Sequence, residues 1–247
     1  MGYLALGRYT PPQVAARTDP RLERWAERAA RARELAARYP ASREILLFYA
    51  ELAEWQGAVA AGRIPQHDVL PSLVDLVRRT GPPALREAAE HMTALPHIHS
   101  PHPLDFFGRA ARQPFAALSP SPPLAPSPSR HCPLCCHAPQ VACLRPEGHG
   151  SALELVCSVC FTHWPFPRGR CPACGHAEEG KLAVYSAPEF EHLSVQACEA
   201  CHEYLIVVDL GRDPLAIPEV DELAALPLDL WAREHGYRKL HPNLAGV

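Results

Sequence analysis

Cys132-Pro133-Leu134-Cys135, Cys157-Ser158-Val159-Cys160, Cys171-Pro172-Ala173-Cys174 and Cys198-Glu199-Ala200-Cys201 place eight of the ten cysteines in Cys-x-x-Cys pairs. A Cys-x-x-Cys turn aims two thiolates at one point about 2.3 Å from a metal, and a tetrahedral ion needs two such turns. The connections are 21 residues between Cys135 and Cys157, 23 between Cys174 and Cys198, and ten between Cys160 and Cys171. These lengths favour sequential pairing: Cys132, Cys135, Cys157 and Cys160 around one ion, Cys171, Cys174, Cys198 and Cys201 around another. The second set repeats the first at an offset of 39 to 41 residues, an internal tandem repeat.

Each half resembles a rubredoxin knuckle or zinc ribbon, in which backbone amides stabilise the thiolate charge. Four thiolates leave no open coordination position, so metal-based catalysis is not expected there, and structural, redox and interaction roles remain. Four Cys-x-x-Cys copies without a βαβ context also argue against a thiol oxidoreductase. Two cysteines are left over. Cys136 occupies the position that Gly175 holds in the second unit and is expected in a strained or altered turn, while Cys143 reads as a buried thiol.

Outward from the cysteines, the chain is ordinary globular material. It has 247 residues, a net charge of −3, 47% apolar and 21% charged residues, enough for one or two domains. No apolar run is long enough to cross a membrane and the start does not resemble a leader, so a cytoplasmic protein is expected. In that reducing compartment paired cysteines point to metal rather than disulfides. The 28 prolines demand long loops or a linker.

Residues 1–112 are predicted to be an all-helical domain. Leu22, Trp25, Ala26, Ala29, Ala32, Ala36 and Tyr39 form one stripe after an Asp19 N-cap, and a second helix is expected over Ser42 to Gln56. A third spans Pro71 to Arg79 with Gly81 as its stop, and Leu85, Ala88, Ala89 and Met92 mark a fourth. The Pro/Ser-rich stretch 113–130 reads as a semi-rigid linker. Residues 131–210 hold the tandem metal units, with strands expected at Gln140–Leu144, Leu153–Val156, Leu182–Ser186 and Tyr204–Asp209. In the last segment, 211–247, one helix begins at Pro218 and Glu219, is kinked by Pro227, ends near Gly236 and docks through Leu223, Leu226, Leu230 and Trp231. The fold class is therefore α+β: helices, then tandem rubredoxin-like or zinc-ribbon units, then a C-terminal helix.

Outside the cysteine pairs, His97, His99 and His102 lie between prolines and read as a solvated loop. His131, His137, His163 and His176 cluster around complete four-cysteine sets and are expected beside them or at the surface. Between the units, Trp164, Phe166, Arg168 and Arg170 are the aromatic and arginine types that dominate interface energetics, held at both ends by metal knuckles. They are the expected partner-binding surface, with packing of the seam as the other role open to the two aromatics.

The stretch Leu155 to Gly175, with Cys157, Cys160, Trp164, Arg168, Cys171 and Cys174, resembles the central signature of the FdhE family of formate dehydrogenase accessory proteins. Tyr39 to Gln56 and Val220 to Tyr237 are similar to that family's helical and C-terminal regions. The resemblance implies a non-catalytic cytoplasmic maturation factor, an adaptor or chaperone that engages the catalytic subunit of a molybdenum- or tungsten-dependent formate dehydrogenase. It implies the eight paired cysteines as ligands of iron bound as in rubredoxin. Spacing alone allows iron or zinc, and Cys136 departs from the family's usual glycine. Two other classes share the cysteines. A zinc-ribbon nucleic-acid binder is disfavoured because Arg130 to Leu210 carries five basic against nine acidic residues. An electron-transfer protein would differ only in metal and potential.

Overall fold

A computed structural model describes residues 20–91, 104–117, 129–178 and 180–244. The His97, His99 and His102 run, the Asp19 cap, Met92 and most of the proline-rich linker lie outside them. Helix α1 (Pro20–Arg38) is followed by a single 3-10 turn (Pro40–Ser42), then α2 (Arg43–Ala60), α3 (Val69–Thr80), α4 (Pro83–Glu90) and α5 (Leu104–Ala116). Most of α1's stripe is buried as the periodicity requires, but Ala26 faces solvent and Leu35 takes an interior place. α2 is the central rod, apolar on most sides, and packs against α1, α3 and α5. Gly57 lets α1 come close, since a Cβ there would stand 3.1 Å from that of Trp25. Gly81 ends α3 by sterics rather than by a left-handed turn: its backbone is extended, and a Cβ would meet the Val77 carbonyl at 2.6 Å.

The proline-rich segment starts later than its composition suggests. Gln113 and Pro114 belong to α5, which runs to Ala116, because Gln113 is buried and tied by its side chain to Gln56 at 2.8 Å and to the Ser158 carbonyl at 2.9 Å. Those bonds outweigh the amide that Pro114 lacks.

The second half is one mixed sheet. β1 (Pro139–Glu147), β2 (Gly150–Cys157) and β3 (His163–Pro165) form an antiparallel meander, as do β4 (Leu182–Ser186), β5 (Leu193–Cys198) and β6 (Glu203–Asp209). A parallel pairing of β1 with β6 joins the meanders in the order β3-β2-β1-β6-β5-β4, and β7 (Arg238–Lys239) adds to β6. The tandem repeat of the sequence is thus visible as two three-stranded units in one sheet. One face, with Val141, Val156, Val195, Ile206 and Val208, shares a core with the helices. The other, with Ala142, Leu155, Trp164, Phe166, Leu205 and Val207, packs on its own.

The C-terminal segment is two helices, α6 (Pro218–Ala224) and α7 (Leu226–Glu234), broken at Ala225. Pro227 starts α7 instead of kinking a single helix, and this resets the buried face. Val220, Leu223, Ala224, Leu228 and Ala232 are inside, whereas Leu230 is exposed and Leu226 and Trp231 are half-buried.

Between helices and sheet lies a network the local sequence did not announce. Glu219, Asp221, Glu222 and Asp229 are all buried. Glu219 accepts from Arg28 Nε at 2.8 Å, and Asp221 from Arg31 Nε at 3.0 Å, His192 Nε2 at 2.8 Å and the Ile217 amide at 2.8 Å. Lys239 pairs with Glu222 at 2.7 Å and Asp229 at 3.0 Å, and Gln140 donates to Glu222 at 2.7 Å. Such charges stay buried only because they are paired.

Burial pushes the Glu222 carboxyl up to about 7, against the pull of Lys239. Folding therefore favours its protonated form. That contribution is whole below the ordinary carboxylate value of 4.5 and is lost as pH rises through about 7. Glu222→Gln should accordingly lose less stability than the natural protein between pH 5 and pH 8. Urea midpoints across that range check this, and parallel pH profiles would contradict it.

Candidate metal centres

Each cysteine cluster is built on a hairpin. Cys132 and Cys135 precede β1 while Cys157 ends β2, and Cys171 and Cys174 precede β4 while Cys198 ends β5. Because β1 and β6 run parallel, with Ala142 opposite Val207, both clusters come to the same end of the sheet. The structure brings Cys132, Cys135, Cys157 and Cys160 together, and Cys171, Cys174, Cys198 and Cys201 together, each with all four sulfurs within 4.8 Å of one another. No pair is crossed between units.

The separations suit a tetrahedral ion. Metal–sulfur bonds of about 2.3 Å put neighbouring sulfurs about 3.8 Å apart. In the first cluster Cys132–Cys160, Cys135–Cys160 and Cys135–Cys157 stand at 3.6, 3.5 and 3.3 Å. In the second, Cys171–Cys201 and Cys174–Cys198 both stand at 3.8 Å. Burial pushes the Cys135 thiol up to about 12 and the Cys171 thiol up to about 11, so these two sulfurs resist ionisation by themselves, while Cys160 and Cys174, one in each cluster, are shifted down. A divalent cation inverts that penalty by replacing the protons. Iron and zinc both fit four sulfurs.

The backbone is arranged for thiolates. The amides of His137, Thr162, His176 and Glu203 point at Cys135, Cys160, Cys174 and Cys201, in each case two residues past the second cysteine. Those of Val159 and Ala173 donate to Cys157 at 3.4 Å and Cys171 at 3.3 Å. The residue after each second cysteine is left-handed: Cys136 at φ 61°, Phe161 at 56°, Gly175 at 80° and His202 at 57°. Cys136 therefore does not alter its turn. Its amide bonds the Cys132 carbonyl at 2.9 Å, as that of Gly175 bonds Cys171, and the two knuckles superpose in their hydrogen bonding. Three of the four turns adopt this conformation without glycine, at some cost.

The two clusters differ in surroundings. At the first, Phe161 packs edge-on against Trp25 with centroids 5.9 Å apart, and the Arg28 guanidinium lies 4.5 Å over its ring. Gln113 also reaches Ser158 within the second knuckle. The helical half is thus fastened directly to this cluster. The second is more open, with Cys174 exposed. Phe161 and Ser158 escaped the sequence reading, although Phe161 occupies the same knuckle position that singled out Gly175.

The expected partner surface is only half present at the surface. Trp164 and Phe166 are buried, and Trp164 Nε1 donates to the Ser129 carbonyl at 3.0 Å. They fill the sheet's outer face because this small unit has few other large apolar groups to pack. Arg168 is exposed, bonding the Ser151 carbonyl and hydroxyl at 3.2 Å, and Arg170 is half-exposed. Among the histidines, His131 is exposed, His137 contacts the Cys135 carbonyl at 2.9 Å, and His176 meets Glu178 at 3.2 Å. His163 turns to Glu154. Among the described residues no helix is long and apolar enough to cross a membrane.

Residues 170–245 match the family described as FdhE, C-terminal domain. The chain is 36% identical over 117 residues to the FdhE homolog of Aquifex aeolicus, covering 47% of this chain and 41% of that protein. It is 33% identical over 121 residues to the homolog of Pseudomonas aeruginosa, covering 46% and 38%. The aligned stretch thus spans less than half the length of either relative. In fold, the crystal structure of the FdhE protein from Pseudomonas aeruginosa matches with a TM-score of 0.72 at 22% identity, over 91% of this chain and 96% of that one.

Proposed function

We propose that the chain is a member of the FdhE family, whose C-terminal domain matches residues 170–245, and a formate dehydrogenase accessory protein that acts without catalysis, as an adaptor binding the catalytic subunit before that enzyme is complete. The observation that carries this reading is the pair of closed four-cysteine clusters at one end of a rigid sheet, in a chain that matches this family. The eight paired cysteines hold two tetrahedral ions, iron or zinc. Metal supplies folding energy there, tying each knuckle pair to its hairpin. The chain's own residues do the rest: amides stabilise thiolate charge, Phe161 and Ser158 tie the first cluster to the helices, and Arg168 and Arg170 remain available to a partner. The work is placed in the cytoplasm, where paired thiols stay reduced. Nucleic acid is not the partner, given the acidic balance of the sheet half.

Capture of an immature formate dehydrogenase catalytic subunit by the immobilised full chain tests the reading. The natural chain should retain the subunit. Arg168→Ala should weaken capture by more than tenfold, about 1.4 kcal/mol, with metal content and thermal stability unchanged. No capture by the natural chain would overturn the adaptor role. Undiminished capture by the variant would move the contact surface away from Arg168.

A further inference from the structure

A third convergence of ligand atoms lies outside the paired cysteines, on the helix-facing side of the sheet. Cys143 on β1 is directly opposite Glu154 on β2, and His163 on β3 opposes Val156, two positions along on the same face as Glu154. Cys143 Sγ stands 3.8 Å from Glu154 Oε2 and 3.7 Å from His163 Nδ1, which are 3.2 Å from each other. Three neighbouring strands hold this triangle by register alone.

Its dimensions decide what it suits. With metal–sulfur bonds of about 2.3 Å and metal–nitrogen or metal–oxygen bonds of about 2.05 Å, a tetrahedral ion sets sulfur about 3.6 Å from the lighter atoms and those about 3.3 Å apart. The observed edges match to within about 0.2 Å. Hydrogen bonding accounts for two edges, the thiol and Nδ1–H each donating to Glu154 Oε2, and leaves the 3.7 Å approach of Nδ1 to the sulfur without a bond of its own. Arg145 donates to both oxygens of Glu154, at 3.1, 3.1 and 3.0 Å, and fixes the carboxylate's orientation as outer partners of metal ligands do. Cys143 is fully buried, whereas the His163 side chain is 30% exposed and gives the cluster an entry path.

We propose that Cys143, Glu154 and His163 form a third metal site, for a divalent ion of the zinc class, with its fourth position left to water. Unlike the four-cysteine clusters, this site is open and can exchange a ligand. It does not depend on the adaptor reading.

Cobalt(II) alone is the probe. The reduced, metal-free full chain is equilibrated with it, and bound metal is counted together with the thiolate absorption. The natural chain should bind three ions, the third adding one thiolate's absorption. Cys143→Ala and His163→Gln should each bind two with the tetrathiolate spectrum intact. Two ions on the natural chain, or three on both variants, would overturn the site. Should a variant also lose the tetrathiolate spectrum, Glu154→Gln, of the same size, decides by the same count: two supports the site and three overturns it.

Discussion

Asp221→Ala is expected to remove about 3–5 kcal/mol of stability, the cost of leaving buried charge without its partner. Asp221 has no solvent exposure and answers Arg31, His192 and the Ile217 amide at once, while Arg31 itself is buried. Asp213 and Glu34 also pair with Arg31 but are more exposed than Asp221, and neither bonds the other groups that Asp221 serves, His192 and the Ile217 amide. Against a total of roughly 5–15 kcal/mol for a domain, such a loss takes the chain to the edge of unfolding. The control is the exposed pair of Arg33 and Glu54, at 2.7 Å. Glu54→Ala should cost under about 1 kcal/mol. Urea midpoints of the two variants settle the comparison. Equal, small losses would mean that the network adds no more than a surface pair.

Cys157→Ser is expected to do more damage to the helices than Cys171→Ser, although both remove one ligand of four. Structural zinc sites contribute apparent binding energies of about 10–16 kcal/mol to folding, comparable to a whole domain's stability, so either change should loosen its own hairpin. The difference lies in what each hairpin touches. The first cluster's knuckle carries Phe161 against Trp25 and receives Gln113 at Ser158. The second cluster is more open, and its Cys174 is exposed. Hydrogen exchange along residues 20–38 should therefore rise with Cys157→Ser and stay near that of the natural chain with Cys171→Ser. Equal protection in the two variants would show that the helical half stands independently of the first cluster.

The sequence held the metal half in plain form because its constraints are local. Cys-x-x-Cys spacing, connection lengths and period-two apolar runs all act over a few residues, so pairing and four of the strands could be read directly. β5 was equally legible, since Leu193, Val195 and Ala197 alternate with Ser194 and Gln196, but β3 is three residues long and has no period to detect. The first four helices followed from apolar periodicity, whereas α5 was not singled out and helix ends depended on contacts made elsewhere. α5 runs through Pro114 because Gln113 is tied to Gln56 and Ser158.

What escaped was long-range. The acids of Pro218–Glu222 carry the pattern of a helix start, and nothing near them says that Arg28 and Arg31, some 190 residues earlier, will neutralise them. A hint existed, since Arg28 and Arg31 flank Ala29 and Ala32 within the apolar stripe of α1. Trp164 and Phe166 show the opposite error. Their types suit an interface, but the same apolar area fills the outer face of the sheet, where only the end of α5 at Ala116 joins them from the described helices.

X-ray absorption of Cys143→Ala protein purified without oxygen tests the two four-cysteine clusters directly. Removing Cys143 confines metal to the paired cysteines. Two ions per chain are predicted, each with four sulfurs at about 2.3 Å and no nitrogen or oxygen in the shell. Metal-free protein with Cys-x-x-Cys disulfides, or ions ligated partly by histidine, would contradict the account.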